Sequence, residues 1–363
     1  MNGPNLKNEK LIEIQFLRVL AIMSVVIFHF TARRASELPY GKWVSGEPWS
    51  LGWIGVELFF IVSGFVIAFS ISRTSSMRNF LINRAIRLYP ALILLLPAVY
   101  VVQRFTPHSP YSDRSTLWNL IGSATLIPPT VLNHVSDQSF DWLTLVLWSL
   151  KVEVFFYLLC AFMVFLIGKN RLSLALIVFV TMINFLVGLN EYLDDDSIFW
   201  VIKSIKVFGF DYLAWFLIGV LIYDLRFKPK SKLLSASLVL VSTSTLINLY
   251  FVNDSSIGTS IAGLVVVGVA LAFGLFCVIK RFWMEKWILA IGNSSYELYL
   301  VHQGVGLTFL IYLVNRYELG AVNGTLSGIS IVAVLTYLCH LIFVHITGPF
   351  NLSIKRAIPK KWY

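Results

Sequence analysis

Arg18 and His29 lie eleven residues apart in FLRVLAIMSVVIFH (Phe16–His29), an otherwise apolar stretch. At roughly 100° per residue that is about three helical turns, so both side chains project from one stripe of a helix. An ionisable side chain inside a bilayer costs at least about 2–3 kcal/mol, and it persists where it has work to do. A cation low on the stripe and an imidazole high on it outline a lined path through a membrane. The plainer account is an arginine snorkelling to one interface and a histidine resting at the other.

Four more segments place polar groups in apolar surroundings. GVELFFIVSGFVI (Gly55–Ile67) carries Glu57 and Ser63. Counted inward from residue 51, Glu57 lies about 9 Å below the outer boundary, and His29 lies within about 3 Å of it. If the two spans are neighbours, the carboxylate orients the imidazole and raises its basicity; otherwise Glu57 is protonated or bonded to backbone. FLINRAIRLYP (Phe80–Pro90) sets Arg84 and Arg87 three apart, on one helical face at a cytoplasmic entrance. Two guanidiniums there suit a phosphate-rich ligand, although arginines also mark the cytoplasmic ends of ordinary spans. LWSLKVEVFFY (Leu147–Tyr157) holds Lys151 and Glu153 on different faces, so no intrahelical salt bridge is expected. Glu153 either pairs with a cation such as Arg18 or shapes a polar cavity. SSYELYLVHQ (Ser294–Gln303) brings in Glu297 and, near mid-depth, His302, which reads most simply as a helix–helix hydrogen-bond partner. No histidine pair has firm metal-ligand spacing, so no metal is expected.

The elements that must hold these groups are membrane helices. With 57% hydrophobic and 13% charged residues in 363, and a mean hydropathy of +0.77, the chain is too oily for a soluble globule. Apolar stretches of about 20 residues predict an all-α, polytopic transmembrane bundle of about ten spans. Their approximate ranges are 11–31, 51–72, 86–103, 145–167, 172–190, 206–225, 233–252, 257–279, 288–313 and 325–347. One side collects Arg73, Arg84, Arg87, Lys169, Arg171, Arg226, Lys228 and Lys355, while the run Asp194–Asp196 falls on the other. That asymmetry places both termini in the cytoplasm. The net charge of +10 therefore reads as orientation and contact with anionic lipid, not as nucleic-acid binding. Residues 1–348 form one membrane domain and 349–363 a short basic cytoplasmic tail. Cys160, Cys277 and Cys339 fall inside spans, without CxxC spacing, and read as packing residues. The longest connection, roughly 104–144, faces outward; Leu117–Ile127 within it has the pattern of a half-buried helix, and the loop is long enough to lie over the outer mouth.

In this order and at these spacings the five blocks resemble the acyltransferase-3 family, integral-membrane O-acyltransferases that decorate bacterial surface glycans. The resemblance covers nearly the whole chain. Glu57 stands where aspartate is common, and Val154 and Phe155 follow Glu153 where a second acidic residue and glutamine are frequent. The resemblance implies transfer of an acyl group, usually acetyl from acetyl-CoA, to a sugar hydroxyl such as one of an O-antigen, in the bacterial inner membrane. The family's essential histidine maps to His29, its first-span arginine to Arg18, and its arginine motif to Arg84 and Arg87. On that footing the coenzyme's phosphates sit at Arg84 and Arg87, its thiol arm passes Arg18, and His29 is general base on a glycan or lipid-linked sugar, with Glu57 orienting it. A competing expectation is a proton-coupled transporter or flippase for a lipid-linked sugar, with His29, Glu57 and Glu153 as a relay.

Overall fold

The computed structural model describes residues 12–193, 199–228, 237–238, 240–242, 263, 265–270 and 285–357. Among them there are helices and turns but no strand. Seven helices are long and apolar enough to cross a membrane, and a bent pair makes an eighth candidate. These eight correspond in order to the expected spans other than 233–252 and 257–279, most of whose residues lie outside the described ones, as do Cys277 and Asp194–Asp196.

Along the chain we label α1 (Ile12–Phe30), α2 (Gly55–Arg73), α3 (Met77–Phe105), α4 (Leu117–Thr125) and α5 (Pro129–Val135). There follow α6 (Leu147–Ile167), α7 (Leu172–Leu193), α8 (Phe199–Phe208), α9 (Leu213–Phe227) and α10 (Glu285–Asn293). The last two long helices are α11 (Ser295–Tyr317) and α12 (Ala321–Ala357), which contain π-helical turns at His302–Leu307 and Phe343–Thr347.

The centre of the bundle is the α2–α9 pair. Every residue from Leu213 to Asp224 is buried, and up to Ile222 all are apolar, as a helix enclosed by others must be. Glycines let the two backbones meet: a Cβ on Gly64 would lie 2.0 Å from the Phe216 carbonyl oxygen, and one on Gly219 would lie 1.9 Å from that of Ile61. Close approach through small residues is the usual device where lipid supplies no hydrophobic drive between helices. Phe216 stacks on Phe60 at 4.6 Å between ring centroids and tilts against Phe156 of α6 at 4.3 Å, extending the core sideways. α1 packs on α2, α10 and α11, and α3 packs on α6, α11 and the end of α12. Phe162, Phe165, Phe185, Ile93, Ile329 and Val334 point outward from the long helices, an apolar exterior suited to acyl chains.

Several boundaries differ from expectation. α3 starts at Met77, capped by the Ser76 hydroxyl accepting from Asn79 N at 3.2 Å, so Arg84 and Arg87 sit about two to three turns inside the helix. The expected span 206–225 is a short helix and a long one meeting at 68°. The span 288–313 is interrupted at Ser294, so the crossing helix proper begins at Ser295. The last helix continues past residue 347 to Ala357, its final turns lying against α3. The outer connection contains α4, close to the expected helix, stopped where Leu126 takes a left-handed φ of 58°. Asn119 clamps the connection, donating to Arg114 O at 2.8 Å and accepting from Asp141 N at 2.7 Å.

Candidate active site

Three cavities follow one another along α2. The outer one, of about 670 Å³, is lined by His29, Glu57, Trp53, Trp148, Tyr212 and Gln303 among others. The middle one is only about 50 Å³ and is lined by Arg18, Ser63, Arg87, Glu153 and Tyr296. The inner one, of about 530 Å³, is lined by Ser70, Arg73, Asn83 and Arg84. Val56 and Tyr299 line both the outer and the middle cavity and so form the wall between them. From Val56 to Arg73 is about 25 Å of helix, close to the thickness of a hydrocarbon core.

His29 occupies the last turn of α1 with its ring in the outer cavity. Its Nδ1 lies 2.9 Å from Val25 O, one turn back. A carbonyl can only accept, so Nδ1 carries the proton and Nε2 is the bare, basic nitrogen. The second neighbour of Nδ1 is His302 Nε2 at 3.4 Å. Sequence reasoning places His302 in a helix contact, and the contact it makes is with His29.

Glu57 lines the same cavity, but among the described residues no hydrogen bond joins it to His29, and its Oε2 is buried without a partner. Helix register explains the separation. Gly52 fits against Ser24 and Phe28, and Gly55 against Ala21 and Val25, which sets Glu57 level with residues near Ile22. That is roughly 10 Å inward of His29 along the helix axis. The expected carboxylate–imidazole contact is therefore absent, and the direct neighbours of His29 are a carbonyl and a second imidazole.

Glu153 and Ser63 meet in the middle cavity. Ser63 Oγ and Tyr157 Oη each donate to Glu153 Oε1 at 2.6 Å. Arg18, Arg84 and Arg87 lie within electrostatic range of that carboxylate or of one another, and Arg18 Nη1 donates to Gln15 Oε1 at 3.5 Å. The Ser63 hydroxyl is therefore engaged away from the outer cavity and is not placed to stabilise an oxyanion beside His29. Arg84 and Arg87 share a helical face but open onto different cavities, Arg84 onto the inner and Arg87 onto the middle one. Arg84 Nη2 donates to Ser70 Oγ at 3.2 Å and its guanidinium lies over the Phe80 and Tyr157 rings at 5.7 and 5.9 Å, whereas its Nε and Nη1 are buried with no acceptor in bonding geometry. Unsatisfied guanidinium donors beside a cavity make a ready anion site.

Tyr299, Val56, Trp53, Trp148 and Tyr212 escape sequence reasoning. Tyr299 shows why. Its hydroxyl bonds Ser149 Oγ at 2.7 Å and Val146 O at 3.3 Å, and its ring meets Phe59 edge-on at 5.7 Å. One more tyrosine in an aromatic-rich span carries no signal of its own, although both YELYL and WSL belong to polar blocks. The outer connection 104–144 is not among the residues lining the His29 cavity, so the expected cover over the mouth is not seen; the rim comes instead from the α1–α2 loop through Glu47, Ser50 and Trp53. Lys151 does not pair with Glu153: its Nζ donates to Val207 O at 2.7 Å.

A family model described as an acyltransferase domain matches residues 11–350. No curated protein and no solved structure is significantly similar to the chain.

Proposed function

The chain belongs to the acyltransferase-3 family and is a multi-pass membrane acyltransferase; from that premise we propose that it moves an acetyl group from cytosolic acetyl-CoA to a hydroxyl of a surface-glycan sugar, with His29 as general base. The observation that carries this reading is the order of the three cavities, which begins at unsatisfied arginine donors and ends at a bare imidazole nitrogen. Arg84 holds the phosphates of the coenzyme at the inner cavity, and its thiol arm passes Arg87 and Arg18. A space of about 50 Å³ holds a water or two and no such arm, so donor entry parts both the packing between the inner and middle cavities, which share no lining residue, and the wall of Val56 and Tyr299.

The acceptor sugar enters from outside. Trp53, Trp148 and Tyr212 offer ring faces to its C–H surfaces, and Glu57 accepts from a neighbouring hydroxyl. His29 Nε2 takes the proton of the reacting hydroxyl while its oxygen forms a bond to the thioester carbon. Collapse of the tetrahedral intermediate breaks the C–S bond, and the sulfur leaves as the thiol with the proton from the imidazolium. An inner-membrane setting in a bacterium, with the acceptor facing outward, fits this vectorial path.

The test is acetyl-CoA turnover and glycan acetylation in vesicles, with extracted surface polysaccharide as acceptor. His29→Ala is expected to lose transfer by at least about 100-fold while still binding acetyl-CoA. Arg84→Ala and Arg87→Ala are expected chiefly to raise KM for acetyl-CoA. Near-normal transfer by His29→Ala overturns the mechanism. Acid-dependent movement of a lipid-linked sugar without acetyl-CoA consumption identifies a transporter instead.

A further inference from the structure

We infer that His302 is a positioning residue for His29, serving as second acceptor for its Nδ1–H and holding the bare Nε2 toward the outer cavity. The inference rests on the reading of His29 as the base.

His302 Nδ1 lies 2.8 Å from Tyr299 O. As with His29, a carbonyl neighbour requires the proton on Nδ1 and leaves Nε2 with its lone pair. That lone pair faces His29 Nδ1 at 3.4 Å, and the rings meet edge to face, with centroids 5.0 Å apart and planes at 71°. The Nδ1–H of His29 is thus shared between Val25 O at 2.9 Å and His302 Nε2. When His29 takes a proton at Nε2, its charge spreads to Nδ1–H, and charge-assisted bonds to both acceptors strengthen. The device favours the protonated ring during reaction more than the resting one, as catalysis requires.

An orienting group for a catalytic histidine is commonly a carboxylate, but here Glu57 lies about two turns inward. A neutral imidazole does the same work without burying a second charge in the bundle. Its placement is built in. His302 is fully buried and opens the π-helical turn, a wide turn that often marks functional positions. Cβ atoms on Gly304 and Gly306 would lie 2.5 Å from Val99 Cγ1 and 2.6 Å from Leu335 Cδ1, so the turn is wedged between α3 and α12. Thr144 Oγ1 donates to Gln303 Oε1 at 3.2 Å and pins the adjacent residue.

The test compares His302→Phe with His302→Gln in vesicles, using acetyl-CoA as donor and extracted polysaccharide as acceptor. His302→Phe fills the space without an acceptor; kcat is expected to fall about 10- to 100-fold with KM for acetyl-CoA within about 2-fold. His302→Gln restores an acceptor oxygen and is expected to recover to within about 5-fold of wild type. Wild-type kcat in His302→Phe overturns the inference, and so does a folded His302→Gln that is as slow as His302→Phe. Should neither variant fold, ¹⁵N-histidine NMR of the wild-type protein decides. A bare, bond-accepting Nε2 on His302 is expected, and a proton on that nitrogen overturns the assignment. If the wild-type protein turns over no acetyl-CoA, the functional reading fails, while the NMR measurement still decides how the two rings meet.

Discussion

Glu153 supplies negative charge beside Arg18 and Arg87 at the middle cavity and within electrostatic range of Arg84, and two hydroxyls aim at one of its oxygens. Glu153→Gln removes the carboxylate that acts on Arg18 and Arg84 and leaves Arg87 with Glu297. It is expected to cost of the order of 3 kcal/mol, read as a lowered unfolding temperature in detergent. Ser63→Ala removes a single hydrogen bond and is expected to cost about 1 kcal/mol in the same measurement. If both substitutions cost the same, the charge-balancing role of Glu153 is wrong. Sequence reasoning identifies Glu153, Ser63, His29 and His302 as polar groups in apolar helices, because hydropathy reports burial of charge directly. It does not pair them. Ser63 and Glu153 are 90 positions apart, His29 and His302 are 273 apart, and depth along a span leaves helix rotation and neighbour identity open.

At the scale of elements, the site depends on the seam between α2 and α9, since α2 carries Glu57, Ser63 and the walls of all three cavities. Gly64→Ala and Gly219→Ala each drive a methyl group into a facing carbonyl, which cannot yield as a side chain would. Each is expected to destabilise by about 1–3 kcal/mol and to cut transfer, whereas Gly46→Ala, on open space in the α1–α2 loop, is expected to do neither. Matched unfolding temperatures for all three variants would contradict the tight seam. The helices are legible as apolar runs, but their ends are not. Met77 and Ser76 begin α3 nine residues before the apolar run, because a serine cap and a polar first turn extend a helix beyond what hydropathy detects. For the same reason Arg84 and Arg87 lie well inside a helix that hydropathy starts only at residue 86.

At the scale of the molecule, the charge asymmetry predicts a side for each loop. A cysteine placed at Gly46 is expected to react with a membrane-impermeant maleimide applied to intact spheroplasts. One placed at Arg171 is expected to react only after permeabilisation, in both cases above the background of the wild-type cysteines. The reverse pattern inverts the topology and with it the direction of transfer.

Composition and residue order alone determined the membrane bundle, the polar residues within it and the family resemblance, because each is a property of local windows and their succession along one chain. Three features were decided only by packing: the histidine beside His29, the wall of Val56 and Tyr299, and the division of Arg84 from Arg87. Each depends on the rotation and register of one helix against another. Those are set by where glycines admit a facing backbone and where bulky rings refuse it, so contacts between distant helices emerge only once the whole bundle has closed.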